Sequence, residues 1–173
     1  MKTDSVPHSL ASIANGLIAR GLKAGHPVTQ QALHKLVYLV DAYHWAAHGL
    51  PAVDHEAKAW KFGPHYPNLL TLLEYQGNRP IKHLLDDVDP ETGETVRGPV
   101  ATGARIEPIL DFVSKAYGGL TGPQLSDLTA KPGGAWERTR AASPGVIAPG
   151  IPGTEAGRDY ADLVKRKDEE RAA

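Results

Sequence analysis

Asp41, His44 and His48 stand at i, i+3 and i+7, a spacing that puts all three on nearly one face of a helix. Imidazole nitrogens and a carboxylate so arranged are donors that zinc and related cations accept. The zinc-protease helix motif needs a Glu between its histidines, and the residues between His44 and His48 are Trp45, Ala46 and Ala47. Metal-assisted hydrolysis by that route is therefore unsupported. A structural alternative is at hand, because a histidine in the last turn of a helix complements the helix dipole. No metal is expected.

A second group, Asp86, Asp87, Asp89, Glu91 and Glu94, has the density of a calcium loop. Counted from Asp87, however, the sixth residue is Thr92 where the loop needs Gly, and the twelfth is Gly98 where it needs a bidentate Glu. The run reads as a solvated hairpin tip around Asp89-Pro90-Glu91-Thr92-Gly93. G-x-S-x-G, the phosphate-binding P-loop and G-x-G-x-x-G are all missing. No catalytic residue and no cofactor is nominated, and the chain reads as a non-enzyme. The competing enzyme class would have to use Lys61, His65 or the Asp41/His44/His48 set.

The remaining concentration of chemistry is Trp60-Lys61-Phe62-Gly63-Pro64-His65-Tyr66-Pro67. As structure it is a corner, with Trp60 buried, Gly63 in an unusual conformation and the two prolines fixing φ. As function, Lys61, His65 and Tyr66 would line a recognition groove beside the turn. Large aromatics usually anchor cores, so the structural reading carries more weight.

The elements that position these residues follow from periodicity. Apolar residues recur at helical spacing from Pro7 to Lys23, stopped by Gly25-His26-Pro27. Thr29 is an N-cap for a second helix with a broad apolar face, Leu33, Leu36, Val37, Val40 and Tyr43 widened by Leu39, Ala42, Ala46 and Ala47. That breadth predicts a central helix, about residues 29–48, packed on several sides. Glu56 to Phe62 reads as a short strand entering a Gly63-Pro64 turn, with a helix starting near Pro67. Further helices are expected over Ile106–Tyr117 and after Thr121, and a break at Pro132-Gly133-Gly134 precedes Trp136. The expected fold is mainly α with a small β element: a compact multi-helix domain around the central helix, with a short strand and a hairpin. It spans residues 5–142, followed by a Pro/Gly-rich connector over 143–157 and a polar C-terminal helix over 158–173.

The balance of 19 basic and 20 acidic residues, a formal charge of −1, disfavours nucleic acid or an anionic membrane as main partner. The absence of cysteine removes disulfides, thiolate metal sites and a thiol nucleophile. Met1-Lys2-Thr3-Asp4 leads into no apolar stretch and no run approaches membrane-spanning length, so a cytoplasmic location is expected.

One resemblance ties these features together. His34-Lys35-Leu36-Val37-Tyr38-Leu39-Val40-Asp41-Ala42-Tyr43-His44-Trp45, then Gly49-Leu50-Pro51, then Ala57-Lys58-Ala59-Trp60-Lys61-Phe62-Gly63-Pro64 resembles the Panacea domain, also called SocA-like or phage-associated GepA-like, in order and spacing. Tyr117-Gly118, Leu125-Ser126-Asp127-Leu128-Thr129 and Trp136 match its later elements, so the likeness runs from about Leu10 to Ala142. Ala130 stands where the family has a His, Ala135 where it has a Pro, and His65-Tyr66 where it often has small β-branched residues. The resemblance implies an antitoxin that neutralises a cognate protein toxin by protein–protein contact. In the SocA-like branch it also implies an adaptor that delivers the toxin to a ClpXP-type AAA+ protease. The ending Arg171-Ala172-Ala173 is similar to tags such unfoldases recognise. By family analogy Lys35, Tyr38, Lys61, His65 and Tyr66 are the expected partner contacts, and Trp60, Gly63, Pro64 and Trp136 the structural signature.

Overall fold

The computed structural model describes residues 6–173; the expectations about Met1 to Asp4 and about residue 5 as a domain start lie outside the described residues. The first helix, α1 (Leu10–Lys23), begins where the Ser9 hydroxyl accepts from the Ser12 N–H and ends before Gly25, which turns the chain at φ +74°. The central helix α2 (Gln30–His48) starts where Thr29 accepts from the Ala32 N–H and stops at Gly49, φ +65°. Its residues Ala32 through His44 are all buried, so it is surrounded rather than merely covered. Helices α1, α4 (Ile106–Tyr117), α5 (Gly122–Thr129), α7 (Gly153–Arg158) and α8 (Ala161–Ala172) pack around it. The mainly helical expectation with a small β element is correct.

The strand region differs from its expected form. Strands β1 (Lys58–Trp60) and β2 (Gly63–His65) make a tight antiparallel hairpin with Trp60 opposite Gly63. The reversal occurs at Lys61-Phe62, and Gly63-Pro64 belong to the returning strand. Gly63 at φ +104° permits this path, which a side chain would strain. The other edge of β1 is also paired: Ala59 N–H donates to Pro149 O at 2.8 Å and Ile151 N–H to Ala57 O at 2.8 Å. Helix α3 (Pro67–Leu72) follows β2, and the acidic turn forms the expected hairpin from β3 (Asp87–Val88) and β4 (Thr95–Val96).

Residues 143–157 are not simply irregular. They contain all of α7 but its last residue, Arg158, and the glycines that look like breakers serve close packing instead. A Cβ at Gly153 would clash with the Trp45 indole, and one at Gly157 would lie 2.9 Å from Trp45 Cβ and 3.2 Å from Ala46 N. Helix α6 (Ala135–Ala142) is tied to α7 by Asp159, whose carboxylate accepts from the Ala135 N–H at 2.7 Å and meets Arg138 at 3.1 Å. Arg138 also meets Glu155 at 2.9 Å. Helix α8 is mostly polar; none of its residues is fully buried, and Val164 packs partly against the core. Among the described residues no helix is long and apolar enough to cross a membrane.

Candidate functional site: the hairpin corner

Alternation along β1 decides which corner residues face inward. Ala57 and Ala59 are buried, so Trp60 points outward and is 42% exposed. The expectation of a buried Trp60 fails because the small alanines take the core side of the strand. Its ring stacks on His65 at 4.5 Å, and His65 stacks on His34 of α2 at 3.9 Å. The main chain of the strand is clamped from α6: Trp136 Nε1–H donates to Trp60 O at 2.7 Å and Arg140 Nη1 to Ala59 O at 2.8 Å. Trp136 is thus structural through its indole N–H, and Arg140 lies over its ring.

The five residues expected as partner contacts separate into two groups. Lys61 sits on the hairpin tip with its ammonium over the Phe62 ring. His65 is half-buried in the stack. Lys35, Tyr38 and Tyr66 are buried, Tyr66 to 1% exposure, so they support the corner from within and do not form its surface. Tyr66, expected by family analogy as a partner contact, faces the core instead, and its N–H donates to His34 Nδ1 at 3.1 Å. With Nδ1 accepting, His34 carries its proton on Nε2, a buried donor without an acceptor. Burial, reinforced by the charges of His65 and Lys35, pushes His34 down to about 2, and His65 is lowered to about 4 chiefly by burial. Burial alone lowers Lys35 to about 8.

The sequence did not point to the apolar rim beside this corner. Phe62 is 69% exposed, and Val146 and Ile147, in the segment returning alongside β1, are 53% and 89% exposed. Arg140 Nη1 lies 3.5 Å from Ile147 O while bonding Ala59 O, which brings that segment against the strand. The signal available in the sequence was the run Val146-Ile147 in a nearly uncharged, Pro/Gly-rich stretch.

Asp41 and His44 do a different job. Asp41 accepts from the N–H groups of Ala52 at 2.7 Å and Val53 at 3.3 Å, and His44 Nδ1 donates to Leu50 O at 2.7 Å. Together they fix the turn that leaves α2. Burial raises the Asp41 carboxyl to about 6 against the opposing pull of those backbone donors. His48 is exposed, and no group of three His, Cys, Asp or Glu placed to hold a metal occurs among the described residues.

Comparison with known proteins bears on this corner directly. The family model described as antitoxin SocA-like, Panacea domain, matches residues 33–137, a span that takes in most of α2, the hairpin, α5 and Trp136. Antitoxin SocA of Caulobacter vibrioides (strain NA1000 / CB15N) is 27% identical over 146 residues, covering 84% of this chain and 73% of that protein. No solved structure matches.

Proposed function

Because the chain belongs to the antitoxin SocA-like Panacea domain family, we propose that it is a cytoplasmic antitoxin that binds a cognate protein toxin through the outer rim of the hairpin corner. The observation that carries this reading is the exposed apolar group Trp60, Phe62, Val146 and Ile147 on a backbone clamped by Trp136 and Arg140. A rigidly held, exposed apolar patch is a feature of protein-binding sites. Lys58, Lys61 and Arg140 border it, so it fits an apolar segment of the toxin flanked by acidic residues.

Neutralisation proceeds by delivery: the antitoxin holds the toxin while a ClpXP-type AAA+ protease degrades it. Tethering raises the toxin's effective concentration at the protease and needs no chemistry from the adaptor. It does need a second surface, and the polar helix α8, on a different set of elements from the hairpin, supplies one. The test combines the chain, the toxin encoded beside it, protease and ATP. Toxin half-life is expected to shorten. Intact but inactive toxin would replace delivery with direct sequestration. The double variant Phe62→Ser/Ile147→Ser is expected to lose toxin binding with its unfolding temperature unchanged. Full binding by that variant would place the toxin elsewhere.

A further inference from the structure

Helix α8 turns a mixed face toward the core. Val164, Lys167 and Arg171 stand at i, i+3 and i+7, so one stripe carries a single apolar side chain and two cations. Opposite it, α2 and α4 present Tyr43, Ile109 and Phe112, and a cavity of about 270 Å³, partly open to solvent, remains between the three helices. A helix that only had to complete the core would meet Phe112 with an aliphatic side chain. Lys167 lies there instead, half-buried, with its Nζ 3.1 Å from the centroid of the Phe112 ring. Burial lowers the Lys167 ammonium, the charges of Arg171 and Lys115 act in the same direction, and Glu170 opposes them. Among the described residues neither Lys167 nor Arg171 forms an ion pair, and Asp168 is the one carboxylate lining the cavity.

The cavity therefore joins an apolar floor to a cationic mouth. Apolar walls with a few convergent charged groups are the usual construction of a small-molecule site. At about 30 Å³ for each water-sized group, the space holds roughly nine non-hydrogen atoms. An anion suits the mouth, because it would relieve the repulsion between Lys167 and Arg171 and meet the planar fork of the arginine. Asp168 beside them disfavours a doubly charged group, which selects a carboxylate over a phosphate. We propose that the cavity between α8 and the α2/α4 pair binds a small free carboxylate with an apolar body, the body among Tyr43, Ile109 and Phe112 and the carboxylate toward Lys167 and Arg171. The site shares no residue with the hairpin corner, so it stands or falls independently of the antitoxin reading.

Sodium benzoate, which matches that size and chemistry, is the probe. It is titrated into the isotope-labelled full chain at constant ionic strength, and backbone amide shifts are followed by NMR. Benzyl alcohol, the same body without charge, and sodium acetate, the same charge without the body, are titrated in parallel. Benzoate is expected to shift the amides of α4 and α8 that line the cavity in a saturable manner, with each control at least about tenfold weaker. Equal binding of benzyl alcohol would reduce the site to an apolar hollow, and equal binding of acetate to a surface charge; either overturns the proposal, as does an unsaturable response to benzoate. Two variants locate the ligand. Lys167→Gln/Arg171→Gln is expected to weaken benzoate at least about tenfold and leave benzyl alcohol unchanged; unchanged benzoate affinity refutes the role of the two cations. Ala47→Leu, at an exposed position of α2 that lines the cavity, fills it and is expected to abolish benzoate binding with the unfolding temperature unchanged. Benzoate binding retained by Ala47→Leu overturns the site. Should Ala47→Leu perturb folding, the glutamine pair, which changes side chains at the solvent-facing mouth, decides alone.

Discussion

Lowering the pH from 7.5 to 5 should destabilise the fold, and the stacked histidines set the size of the effect. His34 and His65 have folded-state pKa values of about 2 and about 4, against an ordinary 6.5. Each therefore binds its proton more readily when the chain is unfolded. Stability is full above pH 6.5 and is lost as the pH falls toward the folded values. At pH 5 this linkage costs about 2 kcal/mol for His34, and about 1 kcal/mol for half-buried His65 once solvent screening is allowed for. Asp41 acts oppositely: its folded pKa of about 6 exceeds the ordinary 3.8, so it is protonated first in the folded chain and offsets about 1 kcal/mol. The net loss is about 2 kcal/mol, or about 4–8 °C in unfolding temperature for a chain of this size. Urea unfolding at the two pH values measures it. His34→Asn keeps an acceptor for the Tyr66 N–H but does not titrate, and should flatten the profile. An unchanged urea midpoint at pH 5, or full pH dependence in His34→Asn, would refute the reasoning.

Two further substitutions probe how α7 is seated, one against α2 and one against α6. Gly157→Ala improves helix propensity yet pushes a methyl against Trp45, so a net loss of about 1–3 kcal/mol in thermal unfolding is expected; a gain would mean α7 does not sit this close to α2. Asp159→Ala strips the cap from α6 and one partner from Arg138, and should cost about 2–3 kcal/mol in urea unfolding, with a neutral result excluding that carboxylate as the link.

The helical framework was legible because its signals are local. Thr29 and Gly49 bound α2 where a cap and a left-handed terminator should stand, and the paired hydrogen bonds of Thr121 and Gln124 start α5. Helix α7 escaped notice because Gly153 and Gly157 look like breakers, and only the close approach of Trp45, more than a hundred residues earlier, explains them. The site was half legible. The motif marked the corner, but inside and outside within it depend on β1 alternation, set by Ala57 and Ala59, and on the bond from Tyr66 to His34. The part played by Val146 and Ile147 depends on a return of the chain alongside β1 that no local pattern encodes.

The hairpin offers a visitor no backbone to grip. One side of β1 is bonded to β2 and the other to residues 149–151, while the middle residue of β2 is Pro64, buried and without an N–H. A partner cannot recognise this corner by adding a strand to β1, a mode that draws its affinity from main-chain hydrogen bonds. Recognition must pass through the side chains of the rim. Specificity can then be rewritten by substituting a few outward residues, leaving the scaffold beneath untouched.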